Sequence, residues 1–234
     1  MTYEENARPT FLDSLILPLF LAVSLWTIHI ITFVLDINLS FLGILPKSAF
    51  GLIGILTAPF IHGDFQHLIS NTLPLVFLSW TIVYFYKEVA YKAIGLIYIL
   101  TGIMVWVFAR DVYHIGASGV VYGLVAFVFW SGLFIKDVRA IVLALVVTVL
   151  YSGMFLGVLP NQEGISWESH LFGALVGIAV AFIIKSEIEP ERKYDDWEED
   201  DDENKRYFLP PDTFEKTKLE RAKEEQWDWE SDVS

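Results

Sequence analysis

Residues 116–123 read Gly-Ala-Ser-Gly-Val-Val-Tyr-Gly and begin an apolar segment that extends to about residue 135. The hydroxyl of Ser118 stands among small residues, which allow another backbone or a ligand to approach it closely. A helix that begins at Ser118 would direct its free N–H groups and the positive end of its dipole at this hydroxyl. The stretch is a candidate nucleophile site, but Gly119 and Gly123 also match a packing motif of membrane helices.

The composition of the chain is that of a polytopic membrane protein. Its 234 residues are 54% hydrophobic and 15% aromatic, and its mean hydropathy is +0.49. A soluble domain of this length is less apolar, and the excess lies in long uncharged runs. These runs predict an all-α fold, a membrane bundle of six transmembrane helices, at about residues 14–35, 66–86, 92–109, 118–135, 140–158 and 169–185.

The regions outside this bundle, residues 1–13 and 187–234, are predicted to be cytoplasmic. With the N-terminus inside, Lys and Arg are more frequent in the cytoplasmic segments (Arg8, Lys87, Lys92, Lys136, Arg139, Lys185) than in the exterior loops (Lys47, Arg110). No small-residue cleavage site follows the first span, which favours a retained helix over a signal peptide. The absence of a targeting peptide favours a prokaryotic plasma membrane.

Residues 187–234 differ sharply from the rest, because they hold 19 of the 29 acidic residues of the chain. Their acidic runs and Pro210-Pro211 predict a solvated, largely disordered tail. Trp197, Trp227 and Trp229 leave docking on a membrane or a partner as the alternative.

A second polar group, His62, His67 and Asn71, lies where the second predicted span begins. His67 and Asn71 are four residues apart and share one helical face. One interpretation makes them hydrogen-bonding residues between membrane helices. The other makes them donors that stabilise an oxyanion, with His62 bracing them.

A third group, His170, Gly173 and Gly177, lies on one stripe of the last predicted span. Glycines allow a second backbone to come very close. If that backbone is the helix of Ser118, the imidazole reaches the hydroxyl as a general base, and Tyr122 packs against the ring. The alternative is a histidine that packs on glycines for structure alone.

Other chemistries lack their residues in this sequence. The chain has no cysteine, no His-Glu-x-x-His pattern and no paired intramembrane aspartates, which argues against cysteine, metallo- and aspartyl proteolysis. Without phosphate-binding glycine loops or basic patches, neither a cofactor nor a nucleic-acid partner is predicted.

Three motifs together resemble the rhomboid family of intramembrane serine proteases over about residues 10–186. They are His62-x4-His67-x3-Asn71, Gly116-x-Ser118-Gly119-x2-Tyr122 and His170-x2-Gly173-x3-Gly177. The resemblance implies that the partners are the lipid bilayer and membrane-protein substrates, whose transmembrane helices are cut near their exterior end. A non-catalytic scaffold that binds helices and a small transporter remain the alternatives.

The resemblance also implies roles for individual residues. Ser118 would be the nucleophile and His170 the base of a dyad without a third acid. Asn71, His67 and the Ser118 N–H would form the oxyanion hole. Supporting roles would fall to His62 and to Gly116, which lets the preceding loop dip into the membrane. Residues 157–168 would be a mobile cap, and the second and fifth spans a lateral gate.

One position departs from the family pattern. A Trp-Arg pair is expected four and three residues before Thr57, and this chain has Ile53-Gly54 there. The departure concerns the exterior loop of residues 36–61, which is too apolar for a free loop and too interrupted by glycine and proline for a span.

Overall fold

A computed structural model describes residues 11–136, 138–151, 157, 159, 166–188, 217 and 219–220. Its α-helices are α1 (Phe11–Ser14), α2 (Ile16–Val34), α3 (Gly54–Thr57), α4 (Phe65–Phe85), α5 (Ala90–Phe108), α6 (Ser118–Ile135), α7 (Val138–Leu150) and α8 (Trp167–Ile184). Three 3-10 turns, Ser40–Leu42, Phe50–Leu52 and Ala58–Phe60, lie between α2 and α4. The described residues contain no β-strand, and the predicted helical membrane bundle is confirmed.

Five apolar stretches in the described residues are long enough to cross a membrane: Phe11–Val34, Phe65–Phe85, Ala90–Phe108, Ser118–Ile135 and Trp167–Ile184. The predicted fifth span begins as α7, whose 13 residues extend about 20 Å at 1.5 Å per residue. Most of that predicted span beyond Tyr151 lies outside the described residues, as does most of the predicted disordered tail.

Helix α6 forms the centre of the bundle and packs against α4, α5, α7 and α8. Its inward side chains are fully buried, among them Leu124, Phe127 and Val128. By contrast, α2 and α7 carry many exposed large apolar residues. Such surfaces suit contact with lipid, because the bilayer core offers no water to solvate polar groups.

The closest helix contact in this centre joins α6 to α8 through glycines. A Cβ atom on Gly173 would lie 2.0 Å from the carbonyl oxygen of Gly119, and one on Gly177 would lie 2.1 Å from that of Gly123. Neither position has room for a side chain, so the two backbones touch directly. Small residues allow this approach between membrane helices, where van der Waals packing drives association.

The loop between α2 and α4 is folded onto the chain that precedes α6. Ile44 and His114 exchange two backbone hydrogen bonds, each 2.9 Å long, and the Gly116 N–H donates to the carbonyl of Ala58 at 2.9 Å. Gly54 is buried against this pairing, and a Cβ there would lie 2.4 Å from backbone atoms of Gly43. Gly54 is the position at which the family pattern predicts arginine, and in this chain it has no space for a side chain.

We predict that Gly177→Ala destabilises the protein by about 1–3 kcal/mol, because the added methyl group forces α6 and α8 apart. Gly95→Ala is the matched control, since a Cβ on this exposed glycine of α5 meets nothing within 4 Å. It should leave stability unchanged or raise it by about 0.5–1 kcal/mol. Thermal unfolding in detergent measures both variants, and equal losses would contradict the packing argument.

Candidate active site

Ser118 and His170 meet at the ends of the two helices that the glycines bring together. Ser118 is the first residue of α6, and His170 is the fourth residue of α8. The Nε2 atom of His170 is 2.8 Å from the Oγ atom of Ser118, although the residues are 52 positions apart in sequence. His170 is buried and Ser118 is half-buried.

The second ring nitrogen of His170 determines which tautomer faces Ser118. Its Nδ1 atom is 2.8 Å from the carbonyl oxygen of Gly157. A carbonyl only accepts, so Nδ1 carries the proton, and the lone pair of Nε2 accepts from the Ser118 hydroxyl. This arrangement matches what a general base requires. The acceptor is a main-chain atom, so the sequence carries no motif that would identify it.

Tyr122 lies flat against the imidazole of His170. The ring centroids are 4.1 Å apart and the planes differ by 8°. Gly157 completes this packing, because a Cβ atom there would lie 2.1 Å from the Tyr122 hydroxyl oxygen. The imidazole is therefore held on its face by a ring and at Nδ1 by a peptide carbonyl.

His67 and Asn71 lie next to the backbone that leads into Ser118. Gly116 has a φ of +100°, and a Cβ there would lie 2.6 Å from the His67 ring and 3.7 Å from Asn71 Nδ2. Both the left-handed backbone and the lack of space require glycine at this position. Within α4, the N–H of His67 donates to the Asp64 carboxylate, and the Asn71 amide donates to the His67 carbonyl at 3.1 Å.

His62 packs edge-on against His67, with ring centroids 4.9 Å apart. Burial lowers the pKa of His62 to about 4, with the nearby His67 as the second cause, so its ring is neutral at pH 7.

His29 of α2 is also buried and packs against Phe65. Sequence reasoning missed His29, although a titratable residue within an apolar span is a recognisable signal. No three His, Asp or Glu side chains in the described ranges converge as a metal site would require.

Two polar links beside the site were also missed. His114 Nδ1 contacts the Ser166 hydroxyl, and Arg110 pairs with the buried Glu168 at 3.1 Å. Their sequence signals were a histidine four residues before Ser118 and an acidic residue two before His170. The predicted cap of residues 157–168 is described only at Gly157, Leu159 and its last three residues.

Comparison with known proteins identifies the family of this chain. The Rhomboid domain family matches residues 49–187, which include Gly54, Ser118 and His170. Uncharacterized proteins of Mycobacterium bovis and Mycobacterium tuberculosis are each 32% identical over 168 residues, covering 68% of this chain and 67% of theirs. A Mycobacterium leprae protein is 29% identical over 149 residues, covering 60% of this chain and 58% of its own. The chain is an integral, multi-pass membrane protein that belongs to the rhomboid family, a family of intramembrane proteases.

Proposed function

We propose that this protein is an intramembrane serine endopeptidase that uses Ser118 and His170 as a catalytic dyad. The observation that carries the proposal is the 2.8 Å contact between Nε2 and Oγ, with Nδ1 occupied by the Gly157 carbonyl. A packing role for His170 needs neither a defined tautomer nor a hydroxyl partner. A nucleophile next to an oriented base is the arrangement on which acyl transfer depends.

The reaction follows from these positions. His170 takes the Ser118 proton at Nε2 while Oγ attacks the scissile carbonyl carbon, and the carbonyl oxygen becomes an oxyanion. His170 then gives the proton to the leaving amine, and an acyl-enzyme remains on Ser118. Water, deprotonated by the same imidazole, hydrolyses this ester and restores the serine. The imidazolium formed on the way keeps its Nδ1 bond to Gly157 and its contact with Tyr122.

The oxyanion would be stabilised by the Ser118 N–H, Asn71 and His67. The N–H groups of the first turn of α6 have no acceptor within the helix, and Ser118 begins that turn. The Asn71 amide has two N–H donors, of which the His67 carbonyl accepts one. Gly116 supports this proposal, because its missing side chain lets the His67 ring lie against the backbone just before Ser118. His62 would brace His67 from the other side.

The substrates would be transmembrane helices of other membrane proteins, cut near their exterior end. Ser118 and His170 meet at the starts of α6 and α8. If the protein lies in a prokaryotic plasma membrane with N-in/C-in topology, as we propose, these helix starts would lie toward the exterior. Family members act on membrane proteins within the bilayer. A lateral gate between α4 and α7 remains a prediction, as do the cap and the absence of a cofactor.

Ser118→Ala and His170→Ala are each expected to abolish cleavage of a fluorescent transmembrane substrate by the purified protein, and Ser118→Ala to abolish fluorophosphonate labelling. Loss of a triad nucleophile or base lowers kcat by roughly 10⁶-fold in serine proteases. Ser131→Ala is the control, since this buried serine lies on the same helix away from the site. Cleavage that survives Ser118→Ala would refute the dyad.

Tyr122→Phe and Tyr122→Leu distinguish what the ring of Tyr122 contributes to catalysis from what its hydroxyl contributes. Phenylalanine keeps the stacked contact with His170, so kcat should stay within about threefold of wild type. Leucine removes the flat surface, and we expect kcat to fall roughly tenfold to a hundredfold because the base is misplaced. Steady-state kinetics measure the two variants, and equal losses would show that the hydroxyl, not the ring, is what matters.

A further inference from the structure

The chain between α5 and α6 is tied to the start of α8 by two side-chain links. Arg110 Nε lies 3.1 Å from Glu168 Oε1, and His114 Nδ1 lies 2.5 Å from Ser166 Oγ. His114 and Glu168 are only 2% and 5% exposed, which is unusual for polar residues unless they are paired. Each link therefore has one buried partner, His114 or Glu168, and each reaches α8 just before His170.

The hydrogen bonds of His114 have a defined direction. Its Nε2 atom is 3.0 Å from the Arg110 carbonyl, which can only accept, so Nε2 carries the proton. The Nδ1 lone pair then accepts from the Ser166 hydroxyl. Ser166 Oγ lies 2.6 Å from Ser169 Oγ and accepts from that hydroxyl. The His114 ring and the hydroxyls of Ser166 and Ser169 thus form a hydrogen-bonded chain, which ends at the residue before His170.

Ser166 contacts His114 and does not cap α8 with its side chain. It occupies the N-cap of α8, where a serine side chain normally accepts from an N–H of the first turn, and here no such bond is formed. The hydroxyl is directed at His114 instead, so the contact with His114 takes the place of the cap.

The backbone of His114 is itself fixed on the first exterior loop. Both of its backbone hydrogen bonds go to Ile44, and Gly116 donates to Ala58. Two residues after Gly116, α6 begins at Ser118. One short segment therefore leads directly into the helix of Ser118 and holds the first turn of the helix of His170.

We propose that His114 is a positioning residue for His170, acting through its hydrogen bond to Ser166. The glycine contacts set how close α6 and α8 lie, while the Ser166 bond sets the position of α8 along and around its own axis. That position brings His170 Nε2 within 2.8 Å of Ser118 Oγ. The inference rests on the proposed function, since positioning matters for catalysis only if the dyad is catalytic.

The charges around His114 agree with a neutral ring. Burial lowers its pKa below the ordinary histidine value, the Arg110 carbonyl and Glu168 act in the opposite direction, and the Arg110 charge lowers it again. The ring is thus neutral near pH 7, with Nδ1 free to accept from Ser166.

Two amide substitutions of His114 each keep only one of its two side-chain hydrogen bonds, the one to Ser166 or the one to the Arg110 carbonyl. An asparagine at this position places an amide near the Nδ1 position and keeps the bond to Ser166, whereas a glutamine reaches the Nε2 position and keeps only the bond to the Arg110 carbonyl. We expect His114→Asn to retain kcat within about threefold and His114→Gln to lose roughly tenfold to a hundredfold, with KM unchanged in both. Equal kcat values for the two variants would overturn the proposal.

The Ser166 side of the bond provides the second test. Ser166→Ala should lower kcat as much as His114→Gln, Ser166→Thr should restore it, and the double variant His114→Gln/Ser166→Ala should be no worse than either single one. Losses that multiply in the double variant would show that the two residues act independently and would refute the link.

A spectroscopic measurement keeps this inference separate from the proposed function. If wild type neither cleaves a transmembrane substrate nor reacts with a fluorophosphonate, the proposed function fails. The ¹⁵N shifts of the His170 ring still decide the positioning role. Shifts that change in His114→Gln and not in His114→Asn support it, and any other pattern overturns it.

Discussion

Direct contact between the backbones of α6 and α8 is the constraint on which the rest of this structure depends. Gly119 and Gly123 face Gly173 and Gly177 with no room for a side chain between them. Lipid provides no hydrophobic force that would press helices together, so such contact surfaces, together with polar contacts, hold a membrane bundle. Because both helices also carry a polar residue near the same end, their approach decides whether a hydroxyl and an imidazole meet.

Much of the fold could be predicted from hydropathy alone. The predicted spans at 66–86, 92–109, 118–135 and 169–185 agree with α4, α5, α6 and α8 to within about two residues, because each helix must satisfy its own backbone in lipid. The glycine stripe also indicated which faces meet. The shape of the loop between α2 and α4 was harder to predict, because it depends on a pairing between Ile44 and His114, which lie far apart in sequence. Gly54 appeared there as a departure from a pattern, and only the contact with Gly43 explains it.

The parts of the site that sequence reasoning missed share a physical reason. The Gly157 carbonyl is a main-chain acceptor, and every residue has one, so no residue type marks it. Ser166 resembles an ordinary helix cap, and its hydroxyl is directed elsewhere only because His114 is folded against it. A local signal can mark such a residue, but its partner is set by a long-range contact that no spacing in the sequence identifies. Residues that act through helix periodicity, such as Tyr122 one turn after Ser118, do leave a recognisable spacing.

The bond between His170 Nδ1 and the Gly157 carbonyl limits what amino-acid substitution can reveal about this protein. The orienting group belongs to a peptide unit, so a systematic alanine scan passes over it without removing the oxygen. A methyl group at residue 157 acts by collision with the Tyr122 hydroxyl, and its effect would be credited to the wrong interaction. Only chemical replacement of the peptide linkage reaches the acceptor itself. In a catalytic triad, a carboxylate side chain orients the histidine, so a single codon change can remove the orienting group.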